Sequence, residues 1–280
     1  MDGARPYNIC DLGKDRIKME TSRIAAVQIR PRKGDPRENG EKITAFMKEA
    51  KGGGAELAIF PECSLTGYDP ERSHELALEK DCRYIRDIEA AADELGIAVC
   101  FGFMEKAEDG LYICQEFYDA GNRTFYRKTH LATREEEYFK EGNDFPTAEY
   151  RHITIGMQLC WESHIPQIST VYRKKGAHLL LFPYASGMSG EKCKTNLSIH
   201  LPARASDNGC FAAACNLLAE KTGGGLAVWD YKGKLIAEYF GDEEKLLLCD
   251  LGGILPREFF SAGINAMHTL SYFDKARDIF

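Results

Sequence analysis

Apolar and polar positions follow one another along the chain in blocks typical of strands and helices. Residues 24–29 are apolar except for Gln28, and this pattern predicts a strand. Asp35 and Pro36 then have the chemistry of a helix N-cap and a first-turn proline. The run 52–54 is all glycine and ends this predicted helix, and residues 55–60 predict a second buried strand. The helix presents one apolar face, made by Ile43, Phe46, Met47 and Ala50.

The same alternation continues along the rest of the chain. A second amphipathic helix is predicted to end at Gly96, a residue suited to a helix C-cap, and another helix is predicted over about 166–175. Turn residues at 119–122 and at 232–233 predict hairpins. Further strands are predicted at residues 97–103, 111–118, 124–128, 153–159, 178–182, 226–231, 235–240 and 245–250.

Two stretches share one layout. Residues 51–61 and 175–183 each pass from a helix end through a glycine and a buried strand to Phe-Pro. This layout is common in α/β units, and here it predicts two similar βαβ halves whose sheets pack face to face under outer helices. No stretch has the composition of an interdomain linker, so we expect one α/β domain.

Composition narrows the class of protein. A hydrophobic fraction of 44% and a charged fraction of 28% are ordinary for a globular domain, and a net charge of -7 argues against a nucleic-acid surface. The first twenty residues lack the apolar core of a signal peptide, and no apolar run is long enough to predict a membrane span. The ten cysteines include no CxxC pair, so we expect reduced thiols in a cytoplasmic protein, without a metal site.

Three residues of different chemistry stand at predicted strand ends: Glu62, Lys128 and Cys160. Ligands of α/β folds gather at the carboxyl ends of strands, so these side chains are expected to converge. Amide hydrolysis needs a nucleophile, a base to remove its proton, and donors for the oxyanion. Cys160, Glu62 and Lys128 could fill these roles in turn, with the backbone N–H of Trp161 as a second oxyanion donor.

Other interpretations of these residues stay open. Each of the three taken singly is more typical of packing or of a surface charge than of catalysis. Cys160 could instead pair with His130 or His164 in a Cys–His hydrolase, or act as a redox thiol. A non-catalytic α/β scaffold is a further alternative. We interpret the glycine run at 223–225 as a turn, because it lacks the lysine and spacing of a phosphate loop.

Three segments resemble the nitrilase superfamily of carbon–nitrogen hydrolases. They are residues 60–68 (FPECSLTGY), residues 126–131 (YRKTHL) and residues 155–162 (IGMQLCWE), the last followed by Pro166. The resemblance implies that Glu62 is the general base, Lys128 the oxyanion partner and Cys160 the nucleophile. It also implies a four-layer α-β-β-α sandwich, no cofactor, and a homodimer or larger homo-oligomer acting on a small molecule.

The resemblance extends over most of the chain. It implies a second glutamate after the lysine, for which Glu135 is the better match, with Glu136 and Glu137 open. Besides Trp161, we expect Tyr68 and Tyr184 to contribute to substrate binding. The carbon–nitrogen hydrolase domain is expected over 24–255, after an N-terminal extension (1–23) and before a C-terminal tail (256–280) suited to subunit contact. Residues 204–216 are also similar to the family.

Departures from the family pattern leave the substrate open. Gln167 stands where members that act on amides often carry an acidic residue, and Cys160-Trp161-Glu162 is similar to the version in true nitrilases. Residues 182–187 lack an asparagine that many members carry. We expect an amidase that forms a thioester and releases ammonia and a carboxylic acid, with nitrile or N-carbamoyl hydrolysis as alternatives.

Overall fold

A computed structural model describes residues 16–151, 153–188, 190–219 and 223–256, with side chains from residue 22 to residue 252. Residues 1–15 of the predicted N-terminal extension and residues 257–280 of the predicted C-terminal tail therefore lie outside the described residues. Residues Ser22–Leu251 form one compact unit.

In chain order, the strands and α-helices of the described residues are β1 (Arg16–Gln28), α1 (Pro36–Gly52), β2 (Leu57–Ile59), α2 (Ser73–Leu76), α3 (Arg83–Leu95), β3 (Ala98–Ala107), β4 (Gly110–Asp119), β5 (Asn122–Arg127), β6 (Ala148–Tyr150), β7 (Ile153–Met157), α4 (Pro166–Lys174), β8 (Leu179–Tyr184), α5 (Gly190–Asn208), β9 (Phe211–Asn216), β10 (Leu226–Trp229), β11 (Leu235–Tyr239) and β12 (Lys245–Pro256).

The strands form two six-stranded sheets with matching layouts. The first has the order β12-β1-β2-β3-β4-β5, and the second has the order β11-β10-β9-β8-β7-β6. Each contains a parallel trio, β1-β2-β3 in the first sheet and β7-β8-β9 in the second, extended by antiparallel neighbours. The two similar βαβ halves predicted from the repeated layout are confirmed.

Helices cover the outer faces of the two sheets. Ile43 and Met47 of α1 pack with Ile88 of α3 in a buried apolar cluster that includes residues of the first sheet. Tyr172 of α4 and Leu197 of α5 do the same for the second sheet. Full burial of each such side chain contributes about 1.5–3 kcal/mol.

The inner faces of the two sheets meet each other. Cys100 of β3 and Met157 of β7 bring their sulfur atoms to 3.9 Å across this boundary. Tyr150 of β6 donates from its hydroxyl to the carbonyl of Glu56, at 3.0 Å. With helices on both outer faces, the α-β-β-α sandwich is confirmed.

Local signals placed several helix ends correctly. Asp35 caps α1, because its carboxylate accepts a hydrogen bond from the N–H of Glu38 at 3.0 Å. Gly96 ends α3 in the left-handed conformation, with φ of 61°, which a residue without Cβ adopts at little cost. The turn between β4 and β5 lies at residues 120–121, as predicted.

The sequence interpretation missed α5 and the strand after it. Gly190 and Pro202 lie within the helix, and both residues usually interrupt helices. A usable signal was present: Cys193, Leu197 and Leu201 recur every fourth residue and are buried, as expected for one helix face. The short strand β6 was also missed, and the predicted strand over 226–231 ends earlier, at Trp229.

The strand that leads to Cys160 packs tightly against α4, which gives a testable prediction. A methyl group at Gly156 of β7 would collide with the ring of the buried Tyr172. We expect Gly156→Ala to lower the free energy of unfolding by about 1–3 kcal/mol, since overpacking forces a core to shift. Urea unfolding measures the change. Gly52→Ala is the control, because a methyl there has no neighbour within 4 Å; equal stability of the two variants would contradict the prediction.

Candidate active site

Glu62 lies in a strained turn directly after β2. The next residue, Cys63, has φ of 55°, in the left-handed region that non-glycine residues rarely adopt. Gly102 of β3 makes room for this turn, since a Cβ there would lie 2.6 Å from the N of Cys63 and 3.0 Å from the Cα of Glu62. Backbone strain of this kind is stored where surrounding structure fixes a functional group.

Lys128 follows β5 and is wholly buried. Its backbone N–H donates to the carbonyl of Ile113 at 2.8 Å, and its own carbonyl accepts from Gly142 at 2.8 Å. The Nζ atom donates to Oε1 of Glu62 at 2.9 Å and to Oε1 of Glu135 at 3.0 Å. Burial opposes the charge of the ammonium, but the attraction of Glu62 and other anions outweighs it and raises the pKa of Lys128.

Of the three consecutive glutamates, the structure brings Glu135 into this cluster. Its second oxygen accepts a hydrogen bond from the N–H of Ala132 at 2.8 Å, and Tyr68 donates to its first oxygen at 3.0 Å. The side chains of Glu136 and Glu137 are exposed. The sequence alone could not separate the three residues, because a run of equal charges carries no signal of burial.

Cys160 approaches from the second sheet, just after β7. It has φ of 47° and begins a 3-10 turn, Cys160–His164. The backbone of Ala185, which follows β8, lies close enough to the sulfur to lower the pKa of the thiol. Cys160 as a whole is partly exposed. Burial of the sulfur, together with the negative charge of Glu62, raises the pKa of the thiol to about 12, although Lys128 acts in the opposite direction.

The charges of the cluster suit a general base better than a preformed thiolate. Burial raises the pKa of Glu62 to about 7, although Lys128 acts in the opposite direction. At neutral pH the Cys160 thiol is therefore protonated, while a large fraction of Glu62 is ionised beside it. An ionised carboxylate next to a protonated thiol can accept its proton during attack on a carbonyl.

The expected substrate-binding residues lie in different environments. The backbone N–H of Trp161 lies at the start of the 3-10 helix Cys160–His164, where N–H groups have no partner inside the helix. Its side chain is 47% exposed and stacks on His164, with ring centres 4.6 Å apart. Tyr184 is buried beside Ser163 and close to Cys160, while Tyr68 contacts Glu135.

Neither candidate histidine is bonded to Cys160 in the described part of the chain. The Nδ1 atom of His130 lies 2.9 Å from Oγ1 of Thr129. The ring of His164 lies between Trp161 and His200, which it meets edge to face, and burial lowers its pKa. These contacts disfavour the Cys–His hydrolase.

Sequence reasoning missed two residues that shape the nucleophile segment. The backbone of Ala185 lies close to the sulfur of Cys160. Asn216, at the end of β9, binds Ser186, the residue after Ala185. The Oδ1 atom of Asn216 accepts from the N–H of Ser186 at 2.8 Å, and its Nδ2 atom donates to the carbonyl of Ser186 at 3.1 Å. Asn216 lay in a segment that resembles the family, but its partner lies thirty positions earlier in the chain.

A cavity of about 1360 Å³ adjoins the site. Tyr68 and Ala185 are among its lining residues, and Leu217 and Leu218 add apolar surface. Charged residues of both signs surround the rest of it: Arg30, Arg32, Lys33, Lys42, Glu38, Asp242, Glu243 and Glu244. Tyr68 connects the cavity with the candidate site, because its hydroxyl donates to Glu135.

The described residues contain neither a cluster suited to a metal ion nor a helix suited to a membrane. No group of three or more His, Cys, Asp or Glu side chains has an arrangement suited to a metal ion there. Over the same ranges, no helix has the length and hydropathy needed to cross a membrane.

The sequence matches a known protein family over most of its length. The sequence model of the carbon-nitrogen hydrolase family matches residues 23–252. A probable nitrilase of Schizosaccharomyces pombe is 29% identical over 169 residues, which are 56% of this chain and 61% of that protein. The omega-amidase of Xenopus tropicalis is 26% identical over 232 residues, covering 76% of this chain and 83% of that protein.

A solved structure is similar over most of the chain. It is a mutant of the amidase from Nesterenkonia sp. AN1 in which the acetamide moiety of fluoroacetamide is covalently added at the active site cysteine. The TM-score is 0.75 at 26% identity, and the match covers 82% of this chain and 90% of that one.

Proposed function

Because the chain belongs to the carbon–nitrogen hydrolase family, and so is an enzyme acting on non-peptide carbon–nitrogen bonds, we propose that it is an amidase with Cys160 as its nucleophile. The observation that carries this proposal is the buried cluster in which Lys128 binds Glu62 and Glu135 at the same time, close to Cys160. Such a cluster provides a base, a cation and a nucleophile within one site.

The first half of the proposed reaction forms a thioester. Glu62 takes the proton of Cys160 while the sulfur attacks the amide carbon, and the carbonyl π electrons move to oxygen. Lys128 and the N–H of Trp161 stabilise the oxyanion. As the tetrahedral intermediate collapses, the carbon–nitrogen bond breaks, Glu62 returns the proton to the leaving nitrogen, and ammonia departs.

The second half releases the acid. Glu62 takes a proton from water, whose oxygen attacks the thioester carbon, and the carbon–sulfur bond breaks. The proton on Glu62 then returns to the Cys160 sulfur, so amide and water become carboxylic acid and ammonia with the enzyme unchanged. Glu135, held by Tyr68 and by the N–H of Ala132, would keep Lys128 in place through both halves.

Nitrile hydrolysis is the second candidate. The segment Cys160-Trp161-Glu162 is similar to that of true nitrilases, and one relative is a probable nitrilase. A nitrile would react through a thioimidate on the same sulfur. N-carbamoyl compounds would enter by the amide route.

A substrate panel tests the proposed function. The wild-type enzyme is incubated with simple amides, ω-amides of dicarboxylic acids, N-carbamoyl compounds and nitriles, and released ammonia is measured. Peptide mass mapping after a rapid quench should find an acyl group of substrate mass on Cys160. Cys82 is the internal control, because it is a partly exposed thiol outside the site. Absence of ammonia from the whole panel, or acylation of a different cysteine, would contradict the proposal.

The pKa of Glu62 predicts the pH dependence of the reaction. Its carboxyl accepts a proton only when ionised, and burial, with the charges of Glu135 and Glu162, raises its pKa to about 7 despite Lys128. We therefore expect kcat/KM to fall tenfold per pH unit below about 7 and to level off above it. A pH series measures this acid limb. A midpoint near the ordinary glutamate value of about 4.3 would contradict the assignment.

We also propose that the chain assembles into a homodimer or a larger homo-oligomer. Family membership supports this, and so do the large apolar side chains that the described chain leaves exposed, among them Trp161 and Ile199. Light scattering after size-exclusion chromatography tests it, and a mass of 31.4 kDa in solution would contradict it.

A further inference from the structure

Glu162 is a wholly buried carboxylate two residues after the candidate nucleophile. One of its oxygens, Oε1, accepts hydrogen bonds from the hydroxyl of Tyr126 at 2.6 Å, from the N–H and the hydroxyl of Thr129 at 2.8 Å each, and from the N–H of His130 at 3.2 Å. The other oxygen, Oε2, accepts from the N–H of Leu159 at 2.7 Å.

These donors belong to two segments from different sheets. Residues 126–130 continue β5 and contain Lys128, whereas Leu159 follows β7 and directly precedes Cys160. The two oxygens of one carboxylate are rigidly connected, so a single side chain fixes the distance between the lysine segment and the nucleophile segment. Hydrogen bonds from neutral donors to a charged acceptor are among the stronger ones in proteins.

Stability alone is a poor explanation for this arrangement. A buried carboxylate is costly unless it is paired, and apolar residues of similar volume often stabilise a core at least as well. Within the described residues its ion-pair neighbour is His130, whose Nδ1 lies 4.0 Å from Oε1 and is charged only when protonated. Five neutral donors bind the carboxylate of Glu162 instead. Because these donors lie on both the lysine segment and the nucleophile segment, the carboxylate holds the two segments at a fixed distance.

We propose that Glu162 is a positioning residue of the amidase reaction, which sets the place of the Cys160 sulfur relative to Lys128 and Glu62. This inference rests on the proposed function of the same site. Glu162 takes no part in bond making: it acts through the backbone of Leu159 on one side and through Thr129 on the other. A displacement of about 1 Å between reacting groups can lower a rate on the order of 100-fold.

The substitution Glu162→Gln isolates this role. Glutamine keeps the size of the side chain but replaces one acceptor oxygen with an NH2 group, a donor. In either orientation of the amide, that NH2 meets N–H or O–H donors, on the Leu159 side or on the Thr129 side. One of the two segments is thereby released while the side chain still fills its space.

We expect the folded Glu162→Gln variant to lose about 10- to 100-fold in kcat, with KM within about threefold of wild type. Iodoacetamide labelling of Cys160 at pH 7.5 should slow on a similar scale, which measures the site without any substrate. The acid limb should also move to lower pH, because the charge of Glu162 is one of the factors that raise the pKa of Glu62, besides burial and Glu135.

Glu116→Gln is the matched control, since Glu116 is also a buried carboxylate but lies on β4 and binds Arg123 at 3.0 Å, outside the site. It should change stability and leave kcat and Cys160 labelling unchanged. If Glu162→Gln does not fold, Tyr126→Phe is the test variant, because it removes the donor at 2.6 Å, together with the 3.2 Å contact to Thr129, and leaves the carboxylate in place. Its kcat is then expected to fall about 3- to 10-fold.

The outcomes separate the two proposals. Wild-type kcat and labelling rate in folded Glu162→Gln, or in Tyr126→Phe where the former does not fold, would overturn the positioning role. An equal loss in Glu116→Gln would also overturn it, because the effect would then follow from any buried carboxylate. Failure of wild type to release ammonia would contradict the amidase proposal, while the labelling comparison would still test the role of Glu162.

Discussion

Replacing Cys160 with alanine is expected to lower the rate of ammonia release on the order of 10⁴-fold or more. Without the sulfur no thioester can form, and the remaining oxyanion donors can assist only direct attack by water. Substrate affinity should change little, because Lys128, Glu135 and Tyr68 stay bonded to one another. Ammonia release under saturating amide measures kcat, and isothermal titration of the inactive variant measures binding.

A matched variant shows that the effect belongs to this thiol. Cys82→Ala removes a partly buried cysteine at the start of α3, outside the site, and should retain wild-type activity. A Cys160→Ala enzyme with more than about a tenth of the wild-type rate would rule out the thioester route. The result would then favour a mechanism in which Glu62 activates water directly.

The second large effect is expected from Glu62→Gln, on the order of 10²- to 10⁴-fold in kcat/KM. The amide oxygen of glutamine can still accept the hydrogen bond from Lys128, so the cluster keeps its shape. The glutamine amide cannot take a proton from the Cys160 thiol, whose pKa is raised to about 12. The acid limb centred near pH 7 should disappear with the carboxylate that produces it, and a pH series on the variant measures both quantities.

Glu136→Gln serves as the comparison for Glu62→Gln. Glu136 lies next to Glu135 in sequence but is exposed, so its neutralisation should leave rate and pH profile unchanged. If the acid limb persists in Glu62→Gln, another group must titrate near pH 7, which would contradict the assignment of Glu62 as the base. Loss of folding is checked by the melting temperature, since Lys128 would then be buried with a single anionic partner.

Local sequence signals predicted a large part of the fold for identifiable reasons. Asp35 and Gly96 carry capping information in their own side chains, so the ends of α1 and α3 could be read without the tertiary structure. Helix α5 could not be read this way, because Gly190 and Pro202 signal an interruption that packing overrides. The buried residues of α5 recur every fourth position, as in a helix, but many polar residues lie between them and weaken the apolar pattern.

The residue types of the proposed catalytic cluster were predictable from the sequence, but their contacts were not. Strand-end positions and family resemblance indicated Glu62, Lys128 and Cys160, since both depend on short segments. The contacts of Glu162 and Asn216 join positions that are tens of residues apart, for example Thr129 to Glu162 and Ser186 to Asn216. A single sequence contains no record of such distances, so these residues emerged only from the three-dimensional arrangement.

Because the proposed site is divided between two sheets, its activity depends on how the two sheets pack against each other. Glu62 and Lys128 belong to the first sheet, and Cys160 to the second. We therefore expect mild denaturant to abolish turnover at the concentration where the two inner faces part, even while each half keeps its helices and strands. Enzymatic activity would thus report the docking of the two layers earlier than circular dichroism does, which makes this chain suitable for studying how a duplicated sandwich comes together.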